Sequence, residues 1–396
     1  MPFSSLGLSE PLLRAISDLN FEKPTPIQLK AIPAVLSGKD VIAIAQTGTG
    51  KTACFALPLL KSLNGQPKTK VNHIRSLILT PTRELAIQVS DAVSKYGKYL
   101  SLKTAVVYGG VSINPQMMRL RSGADILVAT PGRLLDLYNK NALNFSQVSF
   151  LILDEADQML SLGFSDELYR ILRKLPKMRQ TLLFSATFSS HIRELSTLHL
   201  KNPIMIEIAP TGTVSNSVQQ LAFEVDKEMK SALLSHMIRT HVWEKALIFT
   251  GTKISADNLY KKLNRDGISA SVIHGDKSQR VRQRALDDLK THKSKVLIAT
   301  DLAARGIDIE ELPFVINYEV PRNAEIYIHR IGRTGRAGVS GKAISLVCAD
   351  EVKHLAKIET LIGRPLVREV NKNFIPKIKV PSTNRFLNKQ RKSKST

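Results

Sequence analysis

Short apolar runs alternate with segments of helical length along the chain. In the first half they are 41–45 (VIAIA), 76–80 (SLILT), 104–108 (TAVVY), 125–129 (DILVA), 149–153 (SFLIL), 181–185 (TLLFS) and 204–208 (IMIEI). The pattern restarts beyond residue 218 with 219–225 (QQLAFEV), 246–250 (ALIFT), 270–273 (ASVI), 296–300 (VLIAT), 314–319 (FVINYE) and 343–347 (AISLV). Runs that stay apolar at successive positions predict strands buried on both faces, as in parallel sheets covered by helices. The intervening 209–217 (APTGTVSNS) is rich in Pro, Gly, Ser and Thr and reads as a linker. The expected organisation is α/β: an entry region 1–29, a first domain 30–208, the linker 209–217, a second domain 218–370 and a basic, disordered tail 371–396. A length of 396 residues agrees with two domains.

The chemistry-bearing residues cluster immediately after these runs. VIAIA leads into QTGTGKT, SLILT into PTREL, DILVA into TPGR, LILD into EAD, LLFS into AT, and VLIAT into DLAARG. Open parallel sheets bind ligands outside the carboxyl ends of their strands, so six segments converge on one kind of edge.

Charge narrows the partner. Lys and Arg exceed Asp and Glu by 57 − 34 = 23, an excess that favours nucleic acid or an anionic membrane surface. Eight of these charges, Lys372, Lys377, Lys379, Arg385, Lys389, Arg391, Lys392 and Lys394, lie in 371–396 without a single acid. No apolar run approaches the roughly 18 residues of a membrane span, and the N-terminus lacks a continuous apolar signal segment. A chain with no membrane partner and a cytoplasmic location is the expectation. Cys54 and Cys348 are too few for a disulfide framework or a zinc site and are expected as small core residues.

Ala45-Gln46-Thr47-Gly48-Thr49-Gly50-Lys51-Thr52 stands between a strand and the apolar segment 53–60. It departs from the strict G-x-x-x-x-G-K-[ST] pattern only in having Ala45 for the first glycine. Gly48 and Gly50 allow backbone N–H groups to turn in on phosphates, and Lys51 supplies a point charge. Thr52 can offer its hydroxyl to Mg²⁺, and the helix N-terminus adds positive potential. Gly-Lys also occurs at 38–39, 97–98 and 341–342, but none of these sits in a strand-to-helix turn. The run Asp154-Glu155-Ala156-Asp157 ends another strand; alone it is compatible with an acidic first helical turn. With Lys51 and Thr52 in the same half, Asp154 suits Mg²⁺ and Glu155 suits a water-activating base.

Residues 21–28 (FEKPTPIQ), 45–52 (AQTGTGKT), 81–86 (PTRELA), 130–133 (TPGR), 154–157 (DEAD), 185–187 (SAT), 300–308 (TDLAARGID) and 329–336 (HRIGRTGR) resemble, in order, the motif set of DEAD-box RNA helicases. The likeness covers about 3–350, and the opening FSSLGLSEPLLRAI with the brief basic tail is most similar to the bacterial RhlE group. It implies two tandem RecA-like domains with ATP as substrate, Mg²⁺ as cofactor and RNA as partner. For ATP it implies Phe21, Lys23, Gln28, Thr47, Gly48, Thr49, Gly50, Lys51, Thr52, Gly306 and Asp308, with Phe21 stacking on adenine, Gln28 hydrogen-bonding it and Phe3 as the isolated upstream aromatic. Asn20 replaces a glycine usual in the family; because Asn tolerates left-handed backbone, the turn is expected to survive. Lys51, Asp154, Glu155, Arg333 and Arg336 are the implied catalytic set, the two arginines acting as fingers on the γ-phosphate. The run 329–336 already demands an anion, since four cationic or potentially cationic side chains in eight residues repel.

The implied RNA contacts are Pro81, Thr82, Arg83, Gly109, Gly110, Thr130, Pro131, Gly132 and Arg133 in the first domain, and Thr250, Gly251, Arg282 and Thr300 in the second. Hydroxyls, glycine backbones and arginines suit phosphates and sugars, which position a strand without reading its bases. Ser185, Ala186 and Thr187 would couple the ATP and RNA sites. The implied activity is RNA-stimulated ATP hydrolysis with local unwinding of short duplexes or remodelling of RNA–protein complexes; ribosomal precursors and RNA-decay machinery are family-level partners. The alternatives are an ATP-gated RNA clamp or annealing chaperone, and a DNA motor or other NTPase. Gln279 and Arg282, the SAT motif and the arginine run argue against the last two.

Overall fold

The computed structural model describes residues 2–45, 48–208, 218–241, 243–304, 312–335 and 341–383. The chain forms two compact units, Met1–Pro210 and Thr211–Thr396. The linker 209–217 and residues 384–396 lie outside the described residues.

The first unit contains β1 (Val41–Ile44), β2 (Ile74–Leu79), β3 (Thr104–Val107), β4 (Ala124–Ala129), β5 (Phe150–Leu153), β6 (Gln180–Ser185) and β7 (Ile204–Glu207). They form one parallel sheet in the order β3-β4-β2-β5-β6-β1-β7. The second contains β8 (Val218–Glu224), β9 (Ala246–Thr250), β10 (Ala270–Ile273), β11 (Val296–Thr300), β12 (Phe314–Asn317), β13 (Gly341–Val347) and β14 (Val367–Glu369). Its order, β10-β11-β9-β12-β13-β8-β14, is again all parallel, each strand taking the place held by the strand seven earlier.

In the central strands consecutive residues serve opposite cores, which is why those runs carry no polar alternation, whereas β7 and β8 toward the sheet edge alternate with exposed positions. Val41 and Ala43 join one cluster with Phe55 and Phe184, while Ile42 and Ile44 join another with Leu134 and Leu153. In the second unit Ala246 and Ile248 face Trp243 and Leu263, and Leu247 and Phe249 face Leu286 and Leu289. The two-sided covering expected from the apolar runs is present in both units.

Two features differ from the sequence reading. β14 was not expected: its three residues, Val-Arg-Glu, lie at a sheet edge and are too short and polar to show a period. Residues 1–29 pack into the first unit, with Phe3, Leu6, Leu12, Ile16 and Ile27 buried in its core. The expected tail is ordered as far as residue 383. Phe374 packs against His236 at 5.4 Å and Val380 enters a core cluster, while the Asp226 carboxylate accepts from Lys377 N at 2.8 Å and Ile378 N at 3.2 Å. The run of basic residues had obscured these two apolar anchors.

Candidate active site and nucleic-acid interface

The entry to the site is set by a left-handed residue. Asn20 has φ 57°, so the turn survives the replacement of glycine. Phe21 follows it, 37% exposed, and is backed by Phe3 with ring centroids 6.3 Å apart and by the edge of Tyr96 at 6.0 Å. One ring face is thus supported while the residue keeps surface for a planar ligand. Tyr96 was missed because it comes from the far end of helix Arg83–Tyr96 and belongs to no motif. Lys23 is exposed.

Gln28 is 4% exposed and is turned toward the glycine-rich loop: its Nε2 donates to Gly50 O at 3.1 Å and its Oε1 accepts from Thr25 N at 2.9 Å. Thr25 Oγ1 donates to Thr49 O at 2.9 Å, so a threonine not singled out in the sequence holds the same loop. Gly48 and Gly50 have φ 84° and 85°. A Cβ on Gly50 would collide with the Gln28 amide, so only glycine fits here. Helix Lys51–Leu63 begins at once, with Lys51 7% exposed and its Nζ donating to Ala45 O at 2.9 Å. Gln46 and Thr47 lie outside the described residues. One turn on, Cys54 is fully buried, and burial pushes its thiol up, which makes it inert.

Asp154 and Glu155 leave the end of β5, 3% and 5% exposed. Asp154 N extends the ladder by donating to Leu79 O at 2.9 Å. Glu155 then adopts φ 52°, ψ 49°, a left-handed conformation that costs about 1–2 kcal/mol outside glycine and here turns its carboxylate at the strand end. Asp154 Oδ1 is buried without a hydrogen-bond partner among the described residues. Burial pushes the Asp154 carboxyl up to about 7, with Lys51 opposing the rise and Glu155 adding to it. A buried acidic oxygen without a partner, and the hydroxyl of Thr52, which follows Lys51 in the chain, are the kinds of donor a hard divalent ion takes.

Asp157, two residues beyond Glu155, accepts through Oδ2 from Ala186 N at 3.2 Å and from Thr187 N and Oγ1 at 3.1 Å. Ser185 Oγ donates to Thr187 O at 2.7 Å. The Ser185–Thr187 turn is therefore tied directly to the acidic strand end. Asp157 was not among the expected site residues, although it is the fourth letter of its motif.

Three turns at the carboxyl ends of the adjacent strands β3, β4 and β2 gather the first unit's expected RNA residues. Pro81 and Thr82 are buried, and Thr82 caps its helix by accepting from Leu85 N at 3.3 Å. Gly109 and Gly110 follow β3. Gly110 has φ 75°, and a side chain there would run into the Arg83 guanidinium. Gln116 locks this loop by accepting from Tyr108 N at 2.9 Å and donating to Tyr108 O and Ser112 O. Thr130, Pro131 and Gly132 open the helix after β4, and Arg133, 9% exposed, donates to Val111 O at 2.8 Å.

In the second unit Thr250 and Thr300 are paired neighbours at the ends of β9 and β11. Gly251 continues from Thr250, and Arg282 sits in the first turn of helix Gln279–Lys290. Of the arginine run, Arg330 is 2% exposed and supplies the surprise: it grips Asp301 bidentately at 2.5 and 2.8 Å and donates to Asn317 Oδ1 and Glu319 O. Asp301 is the anion this run required. Arg333 is 7% exposed, and Arg336, Gly306 and Asp308 lie outside the described residues.

Residues 25–195 match the DEAD/DEAH box helicase family and 229–338 the helicase conserved C-terminal domain. The chain is 42% identical over 380 residues to the DEAD-box ATP-dependent RNA helicase RhpA of Helicobacter pylori, covering 95% of this chain and 76% of that protein. It is 42% identical over 357 residues to the ATP-dependent RNA helicase CshA of Listeria monocytogenes, covering 90% and 68%. Among solved structures, S. cerevisiae Dbp5 bound to RNA and ADP BeF3 aligns with a TM-score of 0.84 at 33% identity, over 94% of this chain and 96% of that one.

Proposed function

The chain belongs to the DEAD-box family of ATP-dependent RNA helicases, and we propose how its residues divide that work. The observation that carries the proposal is the first unit's edge, where Lys51, Asp154 and Glu155 are all buried at the carboxyl ends of β1 and β5. Lys51 and the Gly48–Gly50 backbone cradle the ATP phosphates, and Phe21 takes the adenine ring. Gln28, now engaged with Gly50 O, reads the adenine edge with its remaining donor and acceptor capacity. Glu155 orients the attacking water and takes its proton, and Arg333 and Arg336 offset charge on the transferred phosphoryl group. Thr52 and Asp154 would hold Mg²⁺, which supplies charge neutralisation to the phosphates when bound.

RNA lies along the turns of Pro81–Arg83, Gly109–Gly110 and Thr130–Arg133, and of Thr250–Gly251, Arg282 and Thr300, through its backbone. Asp157 transmits between the ATP edge and the Ser185–Thr187 turn through three hydrogen bonds. The RhlE group, the cytoplasm, and RNA substrates in ribosome assembly or decay are our finer assignments; no helix among the described residues is long and apolar enough to cross a membrane. The test is strand release from a short RNA duplex. Release that requires ATP and is lost in Glu155→Gln supports the assignment, whereas ATP-independent strand annealing alone would make the chain a chaperone instead.

A further inference from the structure

Helix Lys253–Arg265 opens at Gly251-Thr252, next to the second unit's expected RNA contacts. Two donors there are committed to one side chain. Gly251 N–H donates to Glu319 Oε2 at 2.6 Å, and Ser255 Oγ donates to Glu319 Oε1 at 2.5 Å. A Cβ placed on Gly251 would lie 2.5 Å from Oε2, so the carboxylate covers the open side of the glycine. Among the described residues no Lys or Arg pairs with this carboxylate; on the same turns Lys253 pairs with Asp276, and the Arg330 guanidinium with Asp301. Glu319 is thus a carboxylate with no Lys or Arg partner among the described residues, lodged on the amide just before the N-cap Thr252 and on a hydroxyl of the first turn. That is the pair of donors a backbone phosphate would use.

We propose that Glu319 holds the place of an RNA phosphate on the Gly251 amide and is displaced when RNA binds. The proposal rests on reading Gly251 as an RNA contact. One N–H cannot serve two anions at full strength, and like charges a few ångströms apart repel. An arriving strand must therefore drive Glu319 off, which disfavours weakly held anions at this turn.

At the matching turn of the first unit this arrangement cannot form, for a reason visible in the register. Leu79 pairs with Ala129 and Leu153, and Phe249 pairs with Ala299 and Asn317. Pro81 therefore corresponds to Gly251, and Glu155 to Glu319. Pro81 has no N–H to occupy.

Glu319→Gln preserves shape and an acceptor oxygen while removing the charge. The full-length chain is titrated against labelled single-stranded RNA with a non-hydrolysable ATP analogue, alongside Arg282→Ala as the control for this face. The expected result is RNA binding about fivefold tighter in Glu319→Gln and weaker in Arg282→Ala. Tightening cannot come from damage to the fold, which weakens binding. Unchanged or weaker binding in Glu319→Gln, with Arg282→Ala impaired, overturns the proposal and leaves the RNA face standing. Wild-type affinity in Arg282→Ala removes the RNA reading of this face and the proposal with it.

Discussion

Lys51 opens the helix after β1, and Lys230 opens the helix after β8, strands that hold the same place in the two sheets. Lys51 Nζ donates to a backbone carbonyl, Ala45 O at 2.9 Å, and its charge acts on the neighbouring Asp154. Lys230, 2% exposed, is closed off by Glu351 at 2.5 Å and Tyr318 O at 3.0 Å. The next pair of positions diverges likewise. Asp154 and Glu155 end β5, whereas Tyr318 and Glu319 follow β12, Tyr318 N donating to Phe249 O as Asp154 N does to Leu79 O. One architecture thus carries two edges, and the first unit's edge is the one where a buried acidic oxygen, Asp154 Oδ1, has no hydrogen-bond partner among the described residues. In the second unit the corresponding lysine, Lys230, is balanced by the protein's own Glu351.

The largest effects should come from the residues assigned to the transferred phosphoryl. Arg333→Ala is expected to lower kcat by about 10³–10⁵, measured by steady-state ATP hydrolysis with saturating RNA. Glu155→Gln should lower turnover by roughly 10²–10⁴ while nucleotide binding stays near normal. The same exchange at its counterpart Glu319 should leave ATP turnover at saturating RNA within about twofold; a loss of kcat there comparable to that in Glu155→Gln would break the comparison.

Stability separates the two lysines next. Glu351→Ala strands a buried ammonium and should cost about 3–5 kcal/mol in urea unfolding, whereas Lys51→Ala should abolish ATP binding at near-normal stability. Equal destabilisation by both would mean that Lys51 is structural.

Asp154 gives the comparison a pH dependence. Its folded-state carboxyl sits near 7, above the ordinary value of 3.8, so the folded protein holds this proton more tightly than the unfolded chain. The contribution is full below the unfolded value and is lost as pH rises from about 4 through 7. Asp154→Asn should accordingly stabilise the ligand-free protein at pH 8, by up to about 4 kcal/mol, while weakening its binding of Mg²⁺ with ATP. No gain in melting temperature at pH 8 would contradict the buried, proton-holding site. The smallest effect is expected at Asn20: Asn20→Gly should be nearly neutral, and Asn20→Val should cost about 1–2 kcal/mol.

What could be read in the sequence was whatever depends on neighbours in the chain. All thirteen apolar runs are strands; in the central strands burial on both faces removes polar residues from nearly every position, while β7 and β8 near the sheet edges keep exposed polar ones. The glycine-rich turn before Lys51 and the acidic strand end were legible for a similar reason, their residues being consecutive in the chain. What was hidden joins residues remote in sequence. Tyr96 behind Phe21, Asp301 beneath Arg330 and Glu319 on Gly251 carry no local signature and become visible only when the strand ends meet. The 371–383 strap was misread because its charges outnumber its anchors, Phe374 and Val380.

On this account the ATP edge of the first unit works only when RNA occupies the turns beside it. Steady-state ATP hydrolysis measured without nucleic acid, with single-stranded RNA and with DNA of the same sequence tests it most directly. Strong stimulation by RNA and little by DNA is the predicted result. Hydrolysis equally fast in all three conditions would contradict it.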